Sequence, residues 1–150
     1  MKIKLLIISL ILAIPLLAQD EYFDIIKYSV NGIEIPQFQP ETNANAYISF
    51  IKQEKNTLFA IGNGRDTTYS YGMIEKINEY DITPTDTANL VVFTAYKWHY
   101  ANNYDYNTGT ALIKTKRLFY DNGIYLSIRI YVENNKEKYT IDVIAYNAYK

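Results

Sequence analysis

Residues 124–133 alternate strictly between apolar and more polar side chains, with a period of two. The apolar set is Ile124, Leu126, Ile128, Ile130 and Val132, and the other set is Tyr125, Ser127, Arg129, Tyr131 and Glu133. Because successive side chains of a β-strand project to opposite faces, this pattern predicts a strand with one buried apolar face and one solvent-exposed face. A chain that contains such a strand must supply other strands whose apolar side chains cover this apolar face.

Further apolar, β-branched and aromatic runs recur along the chain, separated by residues that favour turns. We predict strands at residues 23–30, 33–35, 46–52, 57–61, 68–80, 90–100, 110–120, 124–133 and 138–146. Asn31-Gly32 suits a two-residue hairpin turn, because both residue types tolerate a positive φ. The segment 46–52 keeps a helical alternative, since Ala44, Tyr47, Ile48 and Ile51 also fall on one helical face.

Eight or nine strands joined by consecutive hairpins predict an all-β, antiparallel meander. Such a meander closes readily into a small up-and-down barrel, which removes exposed sheet edges. The architecture resembles that of lipocalin-like (calycin-type) barrels, although Trp98 lies in the middle of the chain and the first strand carries no Gly-x-Trp. A two-sheet sandwich uses the same alternation and remains the alternative. In the strand 110–120, Lys114 and Lys116 alternate with Thr115 and Arg117, which indicates a face toward solvent or a polar lumen.

The first 18 residues have the layout of an export signal. Lys2 and Lys4 precede an apolar run, Pro15 interrupts it, and Ala18 is a small residue at which cleavage is expected. The apolar run is shorter than the roughly 20 residues that a transmembrane helix needs. We therefore expect a periplasmic or secreted protein whose residues 19–150 form one domain, without stable membrane insertion after cleavage.

The composition excludes several classes of function. The absence of cysteine rules out disulfides, cysteine-ligated zinc and a cysteine-linked lipid anchor. Without Lys2 and Lys4 the chain would hold 13 basic and 16 acidic residues, a net charge of −3. This balance gives no basic footprint, so nucleic acid is not an expected partner.

The candidate ligand-binding residues lie in the polar and aromatic segment 96–109, which contains the only Trp and the only His. They are Tyr96, Trp98, His99, Tyr100 and Tyr104. By alternation Tyr96, Trp98 and Tyr100 share a face, where their rings would stack on a flat apolar ligand or a glycan, unless they serve only as core. The leading hypothesis is an exported, non-enzymatic module that holds a small apolar or aromatic ligand in a barrel lumen.

Two other function classes stay open. One is a surface interaction protein, such as an adhesion, glycan-binding or inhibitor module, that uses exposed Tyr125, Tyr131, Tyr146 and Tyr149. The other is a small hydrolase centred on His99, although no G-x-S-x-G motif is present.

No cofactor and no metal are expected from the sequence. Asp105-x-Asn107-x-Gly109 shares its spacing with part of a calcium loop, but it offers only two side-chain ligands. Asp and Asn also favour turns by bonding to nearby backbone, which is the simpler interpretation.

Overall fold

A computed structural model describes residues 20–35, 46–64, 68–83 and 88–149 of the chain. The predicted signal peptide, residues 1–18, lies outside these residues. The described strands are β1 (Glu21–Val30), β2 (Ile33–Glu34), β3 (Ala46–Lys52), β4 (Thr57–Asn63), β5 (Thr68–Ile82), β6 (Leu90–Asn102), β7 (Thr108–Tyr120), β8 (Gly123–Glu133) and β9 (Lys138–Ala148). Within the same residues, no helix has the length and apolar character needed to cross a membrane.

The sheet closes on itself. Strands β1 and β3 to β9 pair antiparallel in chain order, and β1 also pairs with β9, which joins the first strand to the last. This confirms the predicted barrel of eight strands, with β2 as one extra strand, and excludes the two-sheet sandwich. Segment 46–52 is a strand, not a helix. Asn31 and Gly32 adopt φ values of 50° and 81° in the turn between β1 and β2, as the sequence predicts.

The apolar face of β8 lies inside the barrel. Leu126, Ile128 and Ile130 are buried completely or almost so, whereas Tyr125 is 40% exposed on the outer wall. On β7 the inward positions are Ile113, Thr115 and Arg117, all buried, and the two lysines of that strand point outward. The ambiguous alternation of β7 therefore reflects a polar section of the barrel interior.

Aromatic side chains cross the interior in a series of ring contacts. Phe50 packs against Phe59 at 5.2 Å, Phe59 against Trp98 at 5.0 Å, and Trp98 against Tyr100 at 5.1 Å between ring centres. An eight-stranded barrel is just wide enough for side chains to fill. The middle of this barrel is accordingly a packed core.

Candidate functional site

Four of the five candidate residues lie inside the barrel or at its rim. Tyr96 and Trp98 are buried, at 8% and 3% exposure, and Tyr100 packs half-buried against the same core. Tyr104 lies in the loop between β6 and β7 and is 57% exposed. His99 points to the opposite, outer face of β6, so the structure does not bring it together with the aromatic residues.

Two further tyrosines, Tyr28 of β1 and Tyr139 of β9, join Tyr100 and Tyr104 at one end of the barrel. We call this end, where β6 passes to β7 and β8 passes to β9, the tyrosine end. Tyr28 and Tyr139 face inward, since they pair with Val143 and Val132, which are both buried. No local sequence signal joins them to the candidate site, because they come from strands far apart in the chain. Their inward positions in the alternation are the only signal that the sequence offers.

The electrostatics at the tyrosine end favour neutral phenols. Burial raises the pKa of Tyr139 to about 12, and Tyr100, Glu137, Tyr104 and Asp105 add to the rise. Burial likewise raises the pKa of Tyr28, with further contributions from Tyr104 and Tyr139. The two carboxylates, Glu137 and Asp105, thus add to the effect of burial on Tyr139. A bound anion would meet the same unfavourable potential at this end.

Among the residues that the structure describes, none accepts a hydrogen bond from the buried indole nitrogen of Trp98, Nε1. Leaving a buried donor unsatisfied costs about 1–3 kcal/mol, and native proteins contain few such groups. The Trp98 ring contacts Tyr100, so Trp98 is the core residue that adjoins the side chains of the tyrosine end.

The loop that carries Tyr104 is stabilised by hydrogen bonds within the loop and by one to the start of β5. Asn107 donates from its backbone and its side chain to the carboxylate of Asp105, at 3.0 and 2.9 Å. Tyr69 donates its backbone N–H to Asn103 Oδ1 at 2.7 Å, which joins the loop to the start of β5. Asp105 and Asn107 therefore serve a turn, and the described residues contain no group of three or more His, Cys, Asp or Glu suited to a metal ion.

The barrel interior toward the opposite end contains a buried cation. Arg117 Nη2 donates to Glu21 Oε1 at 3.2 Å, and Nη1 lies 3.4 Å from the hydroxyl of Tyr96. Burial alone would lower the pKa of Arg117, but the charge of Glu21 and the contact with Tyr96 raise it above its ordinary value. Since Glu21 already neutralises this guanidinium, the pair serves as an internal structural contact and not as a vacant anion site.

His99 lies on the outer wall beside a carboxylate. Its Nε2 is 3.4 Å from Glu75 Oε2, and both side chains are largely exposed. His99 also borders an open hollow of about 590 Å³ whose lining includes Met73 and Thr110. No hydroxyl nucleophile is hydrogen-bonded to this ring among the described residues, so the pair lacks the third member of a hydrolytic arrangement.

Tyrosine rings also contact one another on the outer wall near the opposite end. Tyr125 packs against Tyr146 at 4.5 Å between ring centres and against Tyr120 at 5.6 Å. Tyr149, which is 50% exposed, follows the end of β9 in the same region. Tyr125, Tyr146 and Tyr149 are three of the four tyrosines that the sequence predicts for a surface interaction. Tyr120 lies beside them.

The geometry defines a closed antiparallel β-barrel with a tyrosine-lined end. A comparison with known proteins gives no match to a family model, to a curated protein or to a solved structure.

Proposed function

We propose that the protein is a non-enzymatic binding module that holds a small, flat, largely apolar ligand at the tyrosine end of the barrel. The observation that carries the proposal is the buried, unsatisfied N–H of Trp98 beside Tyr100. A ligand that brings an acceptor atom to this N–H would remove a desolvation penalty that the free protein bears.

The packed core supports a ligand position beyond Trp98 rather than in the middle of the lumen. Phe50, Phe59 and Trp98 already occupy the interior with ring-to-ring contacts. Tyr28, Tyr100 and Tyr139 pack against the core at the remaining end, and Tyr104 lies in the loop between β6 and β7 at the same end. Aromatic rings prefer offset or edge-to-face contacts with other rings, so a flat ligand suits this lining.

The charge at this end selects among ligand classes. Asp105 and Glu137 lie near enough to raise the pKa of both Tyr100 and Tyr139, after the larger effect of burial. A fatty acid would bring its carboxylate into that potential. We therefore expect an uncharged ring system with a carbonyl or ring-nitrogen acceptor to bind better than an anionic lipid.

A comparison of three compounds tests the proposal. Lumiflavin is a neutral flat ring with carbonyl acceptors, palmitate is an apolar anion, and a chito-oligosaccharide represents glycans. Calorimetry should detect lumiflavin binding, and Trp98→Phe should weaken it about three- to ten-fold, as expected for one lost hydrogen bond. Tyr125→Phe, which removes a polar group from an aromatic residue on the outer wall, is the control and should leave the affinity unchanged.

Two outcomes would contradict the proposal. One is binding of lumiflavin that Trp98→Phe and Tyr139→Phe both leave unchanged. The other is binding of the oligosaccharide alone, with an affinity that Tyr125→Phe lowers.

The second outcome would instead favour a surface interaction protein. The ring contacts of Tyr125 with Tyr146 and Tyr120 are the specific observation behind this candidate, because they form a partly exposed aromatic surface on the outer wall. Tyrosine is enriched at protein contacts, where its ring and hydroxyl can both be used. A loss of oligosaccharide or protein binding in Tyr125→Ser, in a variant that keeps the folded barrel, would establish it.

A further inference from the structure

Strands β6 and β7 contain no acidic residue, although the whole chain has a net charge of −1. Three lysines of these strands, Lys97 of β6 and Lys114 and Lys116 of β7, are exposed on the outer face of the barrel. They point outward because the residues that alternate with them, such as Trp98 and Thr115, are buried. We call the outer face that carries these three lysines the cationic wall.

The lysines of the cationic wall follow one another at similar intervals. Lys114 and Lys116 are two residues apart on β7, so their Cα atoms are separated by roughly 7 Å. Lys97 pairs with Leu112, which makes Lys97 a diagonal neighbour of Lys114 at roughly 7–8 Å. A row of three cations matches the repeated anionic groups of a polymer, whereas a single small anion reaches only part of the row.

The protein does not neutralise the cationic wall with its own carboxylates. Among the described residues, none of the three ammonium groups has a carboxylate oxygen within 4.0 Å. Glu75 of β5 pairs with Lys97 in the ladder, but its carboxylate lies 3.4 Å from His99. Glu133 of β8 lies 4.0 Å from Lys138. The positive potential of the wall is therefore available to an external anion.

Aromatic rings accompany two of the lysines. Lys114 Nζ lies 5.7 Å from the centre of the Tyr131 ring, and Lys116 Nζ lies 5.8 Å from that of Phe93. Tyr80 stacks on Phe93 at 4.9 Å with an interplanar angle of 15°, and Tyr80 is 58% exposed. These contacts hold ammonium groups and rings in a defined arrangement before any partner arrives.

An open hollow of about 500 Å³ lies at the Lys97 end of the wall, and Tyr131 is part of its lining. Ile77 adds an apolar side chain from β5, at a β-bulge where the register with β6 shifts between Lys76 and Asn78. A hollow of this volume is within the range of small-ligand sites. It offers a seat for one ring of a longer chain that also contacts the lysines.

We propose that the cationic wall binds an acidic polysaccharide, a chain of sugar units that carry carboxylates. The carboxylates would contact Lys97, Lys114 and Lys116, and the apolar C–H faces of the sugar rings would pack on Tyr80 and Tyr131. The rings favour this partner over an acidic peptide or an anionic lipid surface, which supply charge without a chain of rings. Each exposed ion pair contributes little by itself, so the affinity depends on several contacts along one polymer. The wall is separate from the ligand site at the tyrosine end.

Hexagalacturonate and its methyl ester test the proposal, because esterification removes the charges and keeps the sugar chain. Calorimetry at about 50 mM salt should detect hexagalacturonate binding, and the methyl ester should bind at least about ten-fold more weakly. Lys114→Gln and Lys116→Gln should each weaken hexagalacturonate binding about three- to five-fold and make its salt dependence shallower. Tyr80→Leu, which removes the ring, should weaken it by a similar factor without changing the salt dependence.

Lys55→Gln is the matched control, since it makes the same change in the exposed turn between β3 and β4. Strand β3 lies four strands from β7 in both directions around the barrel, so this variant should bind like the wild type. Trp98→Phe should also leave hexagalacturonate binding unchanged, which separates this surface from the tyrosine end. Circular dichroism should show the same β-sheet spectrum for every variant.

Three results would overturn the proposal. One is a wild-type protein that does not bind hexagalacturonate at low salt. Another is binding that Lys114→Gln/Lys116→Gln leaves unchanged. The third is binding of hexaglutamate, oligothymidylate or phosphatidylglycerol vesicles as tight as that of hexagalacturonate, because the wall would then recognise charge without the sugar.

Discussion

The guanidinium of Arg117 lies 4.6 Å from the centre of the Phe50 ring, inside a barrel that is otherwise lined mostly by apolar side chains. The cation is held by Glu21 of β1, 96 residues earlier in the chain, at 3.2 Å. This contact joins β1 to β7 across the interior, although the two strands are not neighbours in the sheet.

Arg117→Met should destabilise the barrel by about 2 kcal/mol. Breaking a fully buried ion pair costs about 3–5 kcal/mol, but the side chain of Glu21 is 33% exposed and can recover contact with water. Urea unfolding would measure the change, and Arg117→Met/Glu21→Gln should recover part of it. A single variant as stable as the wild type would show that the ion pair contributes nothing net.

Ile128→Asp should unfold the domain, because Ile128 is 1% exposed and a carboxylate there would be buried without a partner. Tyr125→Ser, three residues away on the outer wall, should cost about 1 kcal/mol through lost ring contacts. Thermal unfolding followed by circular dichroism distinguishes the two. Equal tolerance of both changes would mean that the inner and outer faces of β8 are assigned the wrong way round.

The close approach of β5 to β6 makes Gly72 irreplaceable. A Cβ atom at Gly72 would collide with the backbone carbonyl of His99, which cannot move without disturbing the ladder. We expect Gly72→Ala to cost about 3 kcal/mol, at the upper end for overpacking. Gly32→Ala is the control: its Cβ meets nothing within 4 Å, so only its φ of 81° opposes alanine, at about 1–2 kcal/mol. Denaturant midpoints that fall in the reverse order would contradict this account.

Stability should fall in alkaline solution because of Tyr139. Its pKa rises from 10.0 to about 12 on folding, chiefly through burial. The folded state therefore favours the neutral phenol, and the stabilisation present below pH 10 is lost as the pH rises toward 12. Tyr139→Phe should show a shallower decline in unfolding free energy over this range. A decline identical to that of the wild type would mean that Tyr139 ionises as freely as in the unfolded chain.

The sequence predicts those parts of the fold that depend on local pattern. The alternation of β8 locates its inner face, and Asn31-Gly32 locates the first hairpin, because both signals come from neighbouring residues. The inward orientation of Arg117 stays ambiguous in the sequence, since both faces of β7 carry charge: Lys114 and Lys116 lie on one face and Arg117 on the other. It becomes clear only when barrel closure brings Glu21 to it.

The candidate site was predicted only in part for a similar reason. Trp98 and Tyr100 share a face of one strand, which alternation reveals. Tyr28 and Tyr139 reach the same end only through the pairing of β1 with β9, which connects the two ends of the described chain. The bulge between Lys76 and Asn78 is likewise a property of the register between two strands, so no local sequence signal marks it.

In the proposed binding mode, Trp98 offers its N–H to a ligand at the tyrosine end. Since Trp98 is the only tryptophan, a ¹H–¹⁵N correlation spectrum contains a single indole N–H resonance, which lumiflavin can be titrated against. We predict that this resonance moves downfield as an acceptor reaches Nε1, together with the signals of Tyr100 and Tyr139. An indole resonance that stays fixed while lumiflavin saturates the protein, or a protein that does not bind lumiflavin at all, would contradict the account.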